Sequence, residues 1–190
     1  MVNVLYIHGF NSSPLSLKAE QTRQYLNDNF PNIQFHCPQL ANTPMAAIKQ
    51  LEGIIQALHQ QTWCLMGSSL GGYFSTYLSE KFNLPAVLIN PAVKPYILLR
   101  DYLGEQLNPY TNEVYQVRAS HIDDLKSLEC ENLTANNYLV MVQKGDEVLN
   151  YQEGVEKYQH CQLHVEEAGD HSFVGYEKKL PSIASFFQWY

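Results

Sequence analysis

The chain has 190 residues, 45% of them hydrophobic, which suits one domain with one core and no help from a membrane. Acidic residues outnumber basic ones and the net charge is -7. Lys and Arg are scattered, so a polyanion is repelled and nucleic acid is not an expected partner.

No apolar run approaches the roughly 20 residues that a spanning helix needs, so no transmembrane segment is expected. The N-terminus lacks a basic stretch followed by a long apolar run, and a cytoplasmic location is the expectation. Cys37, Cys64, Cys130 and Cys161 show no CxxC spacing. Reduced thiols are therefore expected rather than a zinc knuckle or disulfides.

Val2 to Ile7 is apolar apart from Asn3 and ends in His8-Gly9-Phe10, which predicts a buried strand. Ser13-Pro14 reads as a helix start, with Ala19, Thr22, Leu26 and Phe30 at helical spacing before Pro31. Ile33 to Cys37 predicts a second strand. Thr43-Pro44 opens a second helix with Ala47, Ile48, Leu51, Ile55 and Leu58 on one face. Thr62 to Met66 is a third strand closed by a turn at Gly67. A helix follows over Leu70 to Phe82, with Phe74, Tyr77 and Leu78 inward.

Ala86 to Ile89 predicts a fourth strand. Residues 91 to 135 lose the rhythm and are rich in Pro, Tyr and Asn. Tyr138 to Val142 restores it, followed by a helix near 151 to 158, a strand at Gln162 to Val165 and a last helix from Ser172 onward. Such alternation implies an α/β fold of three layers, a mainly parallel sheet of about six strands with helices on both faces. A single domain spans 1 to 190. Its irregular stretch is a cap-like insertion over the C-terminal edge of the sheet, where such folds build their sites.

Gly67-Ser68-Ser69-Leu70-Gly71 matches the Gly-x-Ser-x-Gly pattern. By composition alone a chain this long has roughly a 0.06 chance of one match. Context removes the coincidence, because the motif lies between a strand and a helix. A sharp turn there projects a serine hydroxyl above the sheet. Ser69 is the candidate nucleophile, and Gly67 and Gly71 permit the tight turn. Ser68, one residue off the motif, is assigned a structural role.

A tetrahedral intermediate needs backbone donors. The amide after the nucleophile, Leu70, is one candidate, and Phe10 in the loop after the first strand is the other. His8 and Gly9 brace that loop. The base should follow the last strand, which selects His171, with His121 as its rival. Asp146, after Gly145 in the loop beyond the fifth strand, is the candidate acid that orients the base. Glu147 and Asp170 are the competing carboxylates. The acids and histidines do not group at ligand spacing, so no metal and no cofactor are expected.

The segments Tyr6 to Pro14, Gly67 to Gly72, Ile89 to Val93, Asn108 to Thr111, Gly145 to Leu149 and His171 to Phe173 stand out, and several of them have no generic structural reason. In them the chain resembles the small YqiA-like esterase family of the α/β-hydrolase superfamily, over nearly its whole length. The resemblance implies a compact α/β-hydrolase core lacking the first two strands of larger relatives. It also implies esterase activity on acyl esters and Ser69, Asp146 and His171 as the triad. Where the family pattern has Leu-Asp-Tyr, this chain has Leu149-Asn150-Tyr151, which favours Asp146 as the acid.

The expected activity is hydrolysis of a small carboxylic ester. The alternatives are an acyl-thioester hydrolase and a non-catalytic binding protein on the same fold. Tyr96, Tyr102 and Tyr110, in the insertion, are candidates for a substrate pocket. The sequence sets neither the acyl group nor the oligomeric state.

Overall fold

The computed structural model describes residues 1–190. In chain order the elements begin with β1 (Val2–Ile7), α1 (Leu17–Asn29), β2 (Gln34–His36), α2 (Pro44–Ala57), β3 (Thr62–Ser69), α3 (Leu70–Phe82) and β4 (Ala86–Pro91). Then come α4 (Pro95–Leu98), the strands β5 (Gly104–Leu107) and β6 (Val114–Val117), and α5 (Ala119–Ser127). The chain closes with β7 (Tyr138–Gln143), α6 (Tyr151–Lys157), β8 (Gln162–Glu166) and α7 (Leu180–Phe186).

Six strands form one parallel sheet in the order β2-β1-β3-β4-β7-β8, while β5 and β6 pair antiparallel on their own. Side chains alternate across the sheet, so two cores result. Leu5, Leu65, Leu88 and Val140 face α2, α3 and α5. Val4, Met66, Val87 and Met141 face α1 and α7. The central strands are buried on both sides and therefore read as continuous apolar runs, whereas edge strand β8 is half exposed.

Register aligns the C-terminal ends of the strands. Ile7 of β1 pairs with Gly67 of β3, Ser68 with Ile89 of β4, and Ile89 with Met141 of β7. The loops that carry His8 to Phe10, Ser69, Asp146 and His171 consequently leave the sheet along one edge.

Three expectations need correction. α1 begins at Leu17 rather than at Pro14. The Ser13 hydroxyl accepts the Leu15 amide and its carbonyl accepts the Ser16 amide, so a local turn wins over the helix there. The expected last helix from Ser172 is broken: Phe173 and Gly175 have positive φ, a short 3-10 turn spans Tyr176–Lys179, and α7 starts next to Pro181. Residues 91 to 135 are not irregular throughout, since they hold α4, the β5–β6 hairpin and α5. The hairpin strands have only four residues each, too short for their alternation to stand out.

Candidate active site

β3 passes directly into α3 at Ser69, with no loop between them. Ser69 adopts φ 55 and ψ −121, a conformation that a residue with a side chain avoids at a cost of about 1–3 kcal/mol. Two glycines allow the backbones to crowd around it. A Cβ on Gly71 would lie 1.9 Å from the Ile7 carbonyl oxygen, and one on Gly67 would lie 2.2 Å from the Gly71 carbonyl oxygen. β1, β3 and α3 therefore approach closer at this turn than any side chain permits.

The structure brings Ser69, His171 and Asp146 into one hydrogen-bonded line. His171 Nε2 is 3.1 Å from Ser69 Oγ. On the other side of the ring, His171 Nδ1 is 2.8 Å from Asp146 Oδ2 and 3.0 Å from Oδ1. Asp146 Oδ1 also accepts the amides of Val148 and Leu149 at 2.9 and 2.8 Å. Burial pushes the Asp146 carboxyl up, but the bonds from His171 and from these amides outweigh it and hold the group below the usual carboxylate range. An ionised Asp146 accepts the Nδ1 proton and leaves Nε2 as the basic nitrogen facing the serine hydroxyl.

The rival groups lie elsewhere. Glu147 accepts the His171 main-chain amide at 3.0 Å rather than a ring nitrogen. His121 is buried in α5, where its Nδ1 accepts the Arg118 amide. The Asp170 amide bonds to Gln143 and its carboxylate makes no bond to the His171 ring.

Two residues without an assigned role in the sequence reading hold this line in place. Gln143, 2% exposed, ends β7. Its Nε2 donates to Glu166 and to the Val174 carbonyl, and its Oε1 accepts the amides of Asp170 and Val174. Asn90, at the end of β4, donates to the Asp170 carbonyl at 2.9 Å and accepts the Gln143 amide at 2.9 Å. Both span the His171 loop from the buried sheet edge. The available signal was a polar residue closing an otherwise apolar strand.

The His8 to Phe10 loop lies against the same turn, for a Cβ on Gly9 would be 3.2 Å from the Ser69 Cβ. His8 Nε2 accepts the Leu40 amide at 3.2 Å, so Nδ1 carries the proton and donates to the Gly9 carbonyl at 3.0 Å. Burial lowers the His8 pKa and keeps the ring neutral for both bonds. The Phe10 amide makes no hydrogen bond within the chain. Leu70 opens α3, where an amide has no partner in its own helix. The Phe10 and Leu70 amides thus lie in the two segments that meet at Ser69. The segment beyond β4 clamps this loop: Asn108 donates to the Ser12 carbonyl, Tyr115 bonds Asn11, and Tyr102 packs edge-on to Phe10 with centroids 5.3 Å apart.

Two clefts meet at Ser69 and His171. One, of about 330 Å³, is walled by Ala92, Pro95, Leu98, Leu99, Tyr102 and Leu149. The other, of about 360 Å³, is polar, with Ser12, Ser16, Lys18, Ser68, Tyr110 and Ser172. Of the three candidate pocket tyrosines, Tyr102 lines the first cleft and Tyr110 the second. Tyr96 lines neither, and its hydroxyl donates to the Glu129 carboxylate instead. No helix is long and apolar enough to cross a membrane.

A profile of the family described as "Uncharacterised protein family (UPF0227)" matches residues 3–188. It is the YqiA-like family that the sequence segments resemble. A UPF0227 protein of Vibrio parahaemolyticus is 21% identical over 188 residues, covering 96% of this chain and 98% of its own. Among solved structures, mouse alpha/beta hydrolase domain-containing protein 10 is similar with a TM-score of 0.76 at 14% identity, over 98% of this chain and 89% of the other. Est1E from Butyrivibrio proteoclasticus, solved with ferulic acid bound, gives 0.75 at 12% identity, over 99% and 88%. A monoacylglycerol lipase of Paleococcus ferrophilus gives 0.70 at 16% identity, over 97% and 93%. The fold is that of the α/β hydrolases.

Proposed function

The chain belongs to the UPF0227 family, and from that premise we propose that it is a serine hydrolase of carboxylic esters, working through an acyl-enzyme on Ser69. The observation that carries this reading is the line Ser69–His171–Asp146, with contacts of 3.1 and 2.8 Å. Esterases and lipases among the proteins that share its fold support it.

In the first half-reaction His171 Nε2 takes the Ser69 proton as Oγ bonds to the ester carbonyl carbon. The carbonyl oxygen becomes an oxyanion and accepts the Phe10 and Leu70 amides. One such donor is worth about 10²–10³ in rate. Collapse breaks the bond to the leaving oxygen, which receives the proton from His171. Water then repeats the sequence on the acyl-enzyme, with His171 taking its proton and returning it to Ser69 Oγ as the acid leaves. Asp146 orients the ring and stabilises the imidazolium in both halves. A thioester follows the same steps with sulfur as the leaving atom.

The apolar cleft takes the acyl chain, and its volume lies within the range of about 300–1,000 Å³ common to small-molecule sites. A fluorophosphonate probe tests the reading. It should label the wild type and not Ser69→Ala. A folded wild type that takes no label would overturn the hydrolase and leave a binding protein on the same fold.

A further inference from the structure

Phe10 belongs to two features of the site at once. Its amide is one of the two proposed oxyanion donors, and the residue also lines the apolar cleft proposed for the acyl chain. Leu70, the other donor, lines that cleft too, but its backbone belongs to α3. Phe10 has no such support. It lies outside every helix and strand, and neither its amide nor its carbonyl bonds to the rest of the chain. The direction of its N–H therefore depends on its two flanking residues and on what touches its ring.

The flanks are tied. On one side His8 Nδ1 donates to the Gly9 carbonyl. On the other Asn11, at φ 48, accepts the Tyr115 hydroxyl. The ring meets Tyr102 and Tyr115 edge-on, with centroids 5.3 and 6.5 Å away. Tyr102, the nearer of the two, is 42% exposed and lines the same cleft as Phe10. An apolar chain in the cleft would thus touch both members of the closer aromatic pair, and one member carries the donor.

We propose that Tyr102 is a positioning residue that couples the acyl chain in the cleft to the Phe10 amide, so that a longer chain speeds acylation as well as tightening binding. Acyl carbons that fill the cleft remove water from both rings and press Phe10 against Tyr102. Phe10 then keeps its N–H on the oxyanion as the tetrahedral carbon forms. Binding free energy from carbons remote from the reacting bond is expressed in the transition state. Preferred substrates are esters whose acyl chain is long enough to reach Tyr102, and acetyl esters are poor ones. This inference rests on the serine-hydrolase reading.

The test uses p-nitrophenyl acetate, butyrate and hexanoate. The acylation constant at saturating ester is read from the burst of p-nitrophenolate, or from kcat where there is no burst, and divided by the rate of the same ester with hydroxide. In the wild type it should rise about tenfold from acetate to hexanoate, within a ceiling on the order of 10² for four methylenes. Tyr102→Phe keeps the ring and should keep the rise. Tyr102→Leu keeps an apolar wall but loses the ring against Phe10. Its half-saturation concentration should still fall with chain length, while its acylation constant should rise less than about threefold. A chain that merely anchored the ester would keep its full rise in Tyr102→Leu, and that result overturns the coupling. So does an acylation constant equal for the three esters in the wild type, or a rise lost in Tyr102→Phe. Each of these leaves the hydrolase standing. No cleavage of any ester, together with no fluorophosphonate label on the wild type, overturns both.

Discussion

The loop that carries His171 and the segment that covers the apolar cleft face each other across Ser69 and are held by different forces. The His171 loop is tied to the sheet by buried hydrogen bonds from Gln143 and Asn90, with each polar atom of the Gln143 side chain engaged. The covering segment is exposed and largely apolar: of the residues that line the cleft, Leu98 is 36% exposed and Tyr102 42%. The first arrangement holds both nitrogens of the His171 imidazole within hydrogen-bond distance of their partners. The second offers apolar surface that would lose water to an apolar ligand. Precision in the first region and adaptability in the second follow from hydrogen bonds being directional and hydrophobic contact not.

The largest effect is expected of Asp146→Asn. It keeps the shape of the loop but favours the wrong tautomer of His171, and kcat should fall by about 10⁴. Steady-state kinetics on p-nitrophenyl butyrate, with far-UV circular dichroism to confirm folding, checks it. A fall below tenfold would remove Asp146 from the mechanism.

Gln143→Leu acts one layer deeper. It strands the Asp170 and Val174 amides and the Val174 carbonyl. Stability should drop by about 3 kcal/mol, lowering Tm by on the order of 10 °C in a chain of this size. Activity at a temperature where the variant is folded should fall as well, because the His171 loop loses its anchor. Thermal unfolding combined with kinetics separates the two losses.

Leu98→Ser probes the opposite wall. Leu98 is 36% exposed and lines the apolar cleft. Tm should hardly move, since the change in stability is within about 0.5 kcal/mol for such a surface position. The kcat/KM for octanoyl relative to acetyl esters should fall about tenfold, the worth of one or two methylenes left in water. A uniform fall for both esters would place Leu98 outside the acyl path.

The smallest effect concerns His8. Its folded pKa lies below the ordinary value of about 6.5 because it is buried. Between those two values the unfolded chain binds a proton that the folded chain refuses, so stability falls as pH falls below about 6.5. His8→Gln should remove this contribution. The urea midpoint should then drop less between pH 7.5 and 5.5 than in the wild type, against a slope from His36 common to both.

The central strands and the tight turn at Ser69 were legible in the sequence because their signals are local. A strand buried on both faces must be apolar throughout, as Tyr138 to Val142 shows, and a turn as tight as Ser69's requires the two small neighbours that the motif supplies. The order of Ser69, Asp146 and His171 along the chain needed only the alternation of strands and helices. The edges of elements were harder to read, because a serine hydroxyl at Ser13 or a positive φ at Phe173 redirects the backbone by one hydrogen bond or one dihedral.

Which distant residues meet is set by the packing of the elements. Asn90, Asn108 and Gln143 hold loops far away in the chain, with separations of 80 residues for Asn90–Asp170, 96 for Asn108–Ser12 and 27 for Gln143–Asp170, and no spacing rule marks such partners. Tyr96, Tyr102 and Tyr110 look alike in sequence, yet they point to Glu129, to the apolar cleft and to the polar groove. Local sequence carries the periodicity of an element and the strain of a turn, but the convergence of side chains on one site is a property of how the elements are laid side by side.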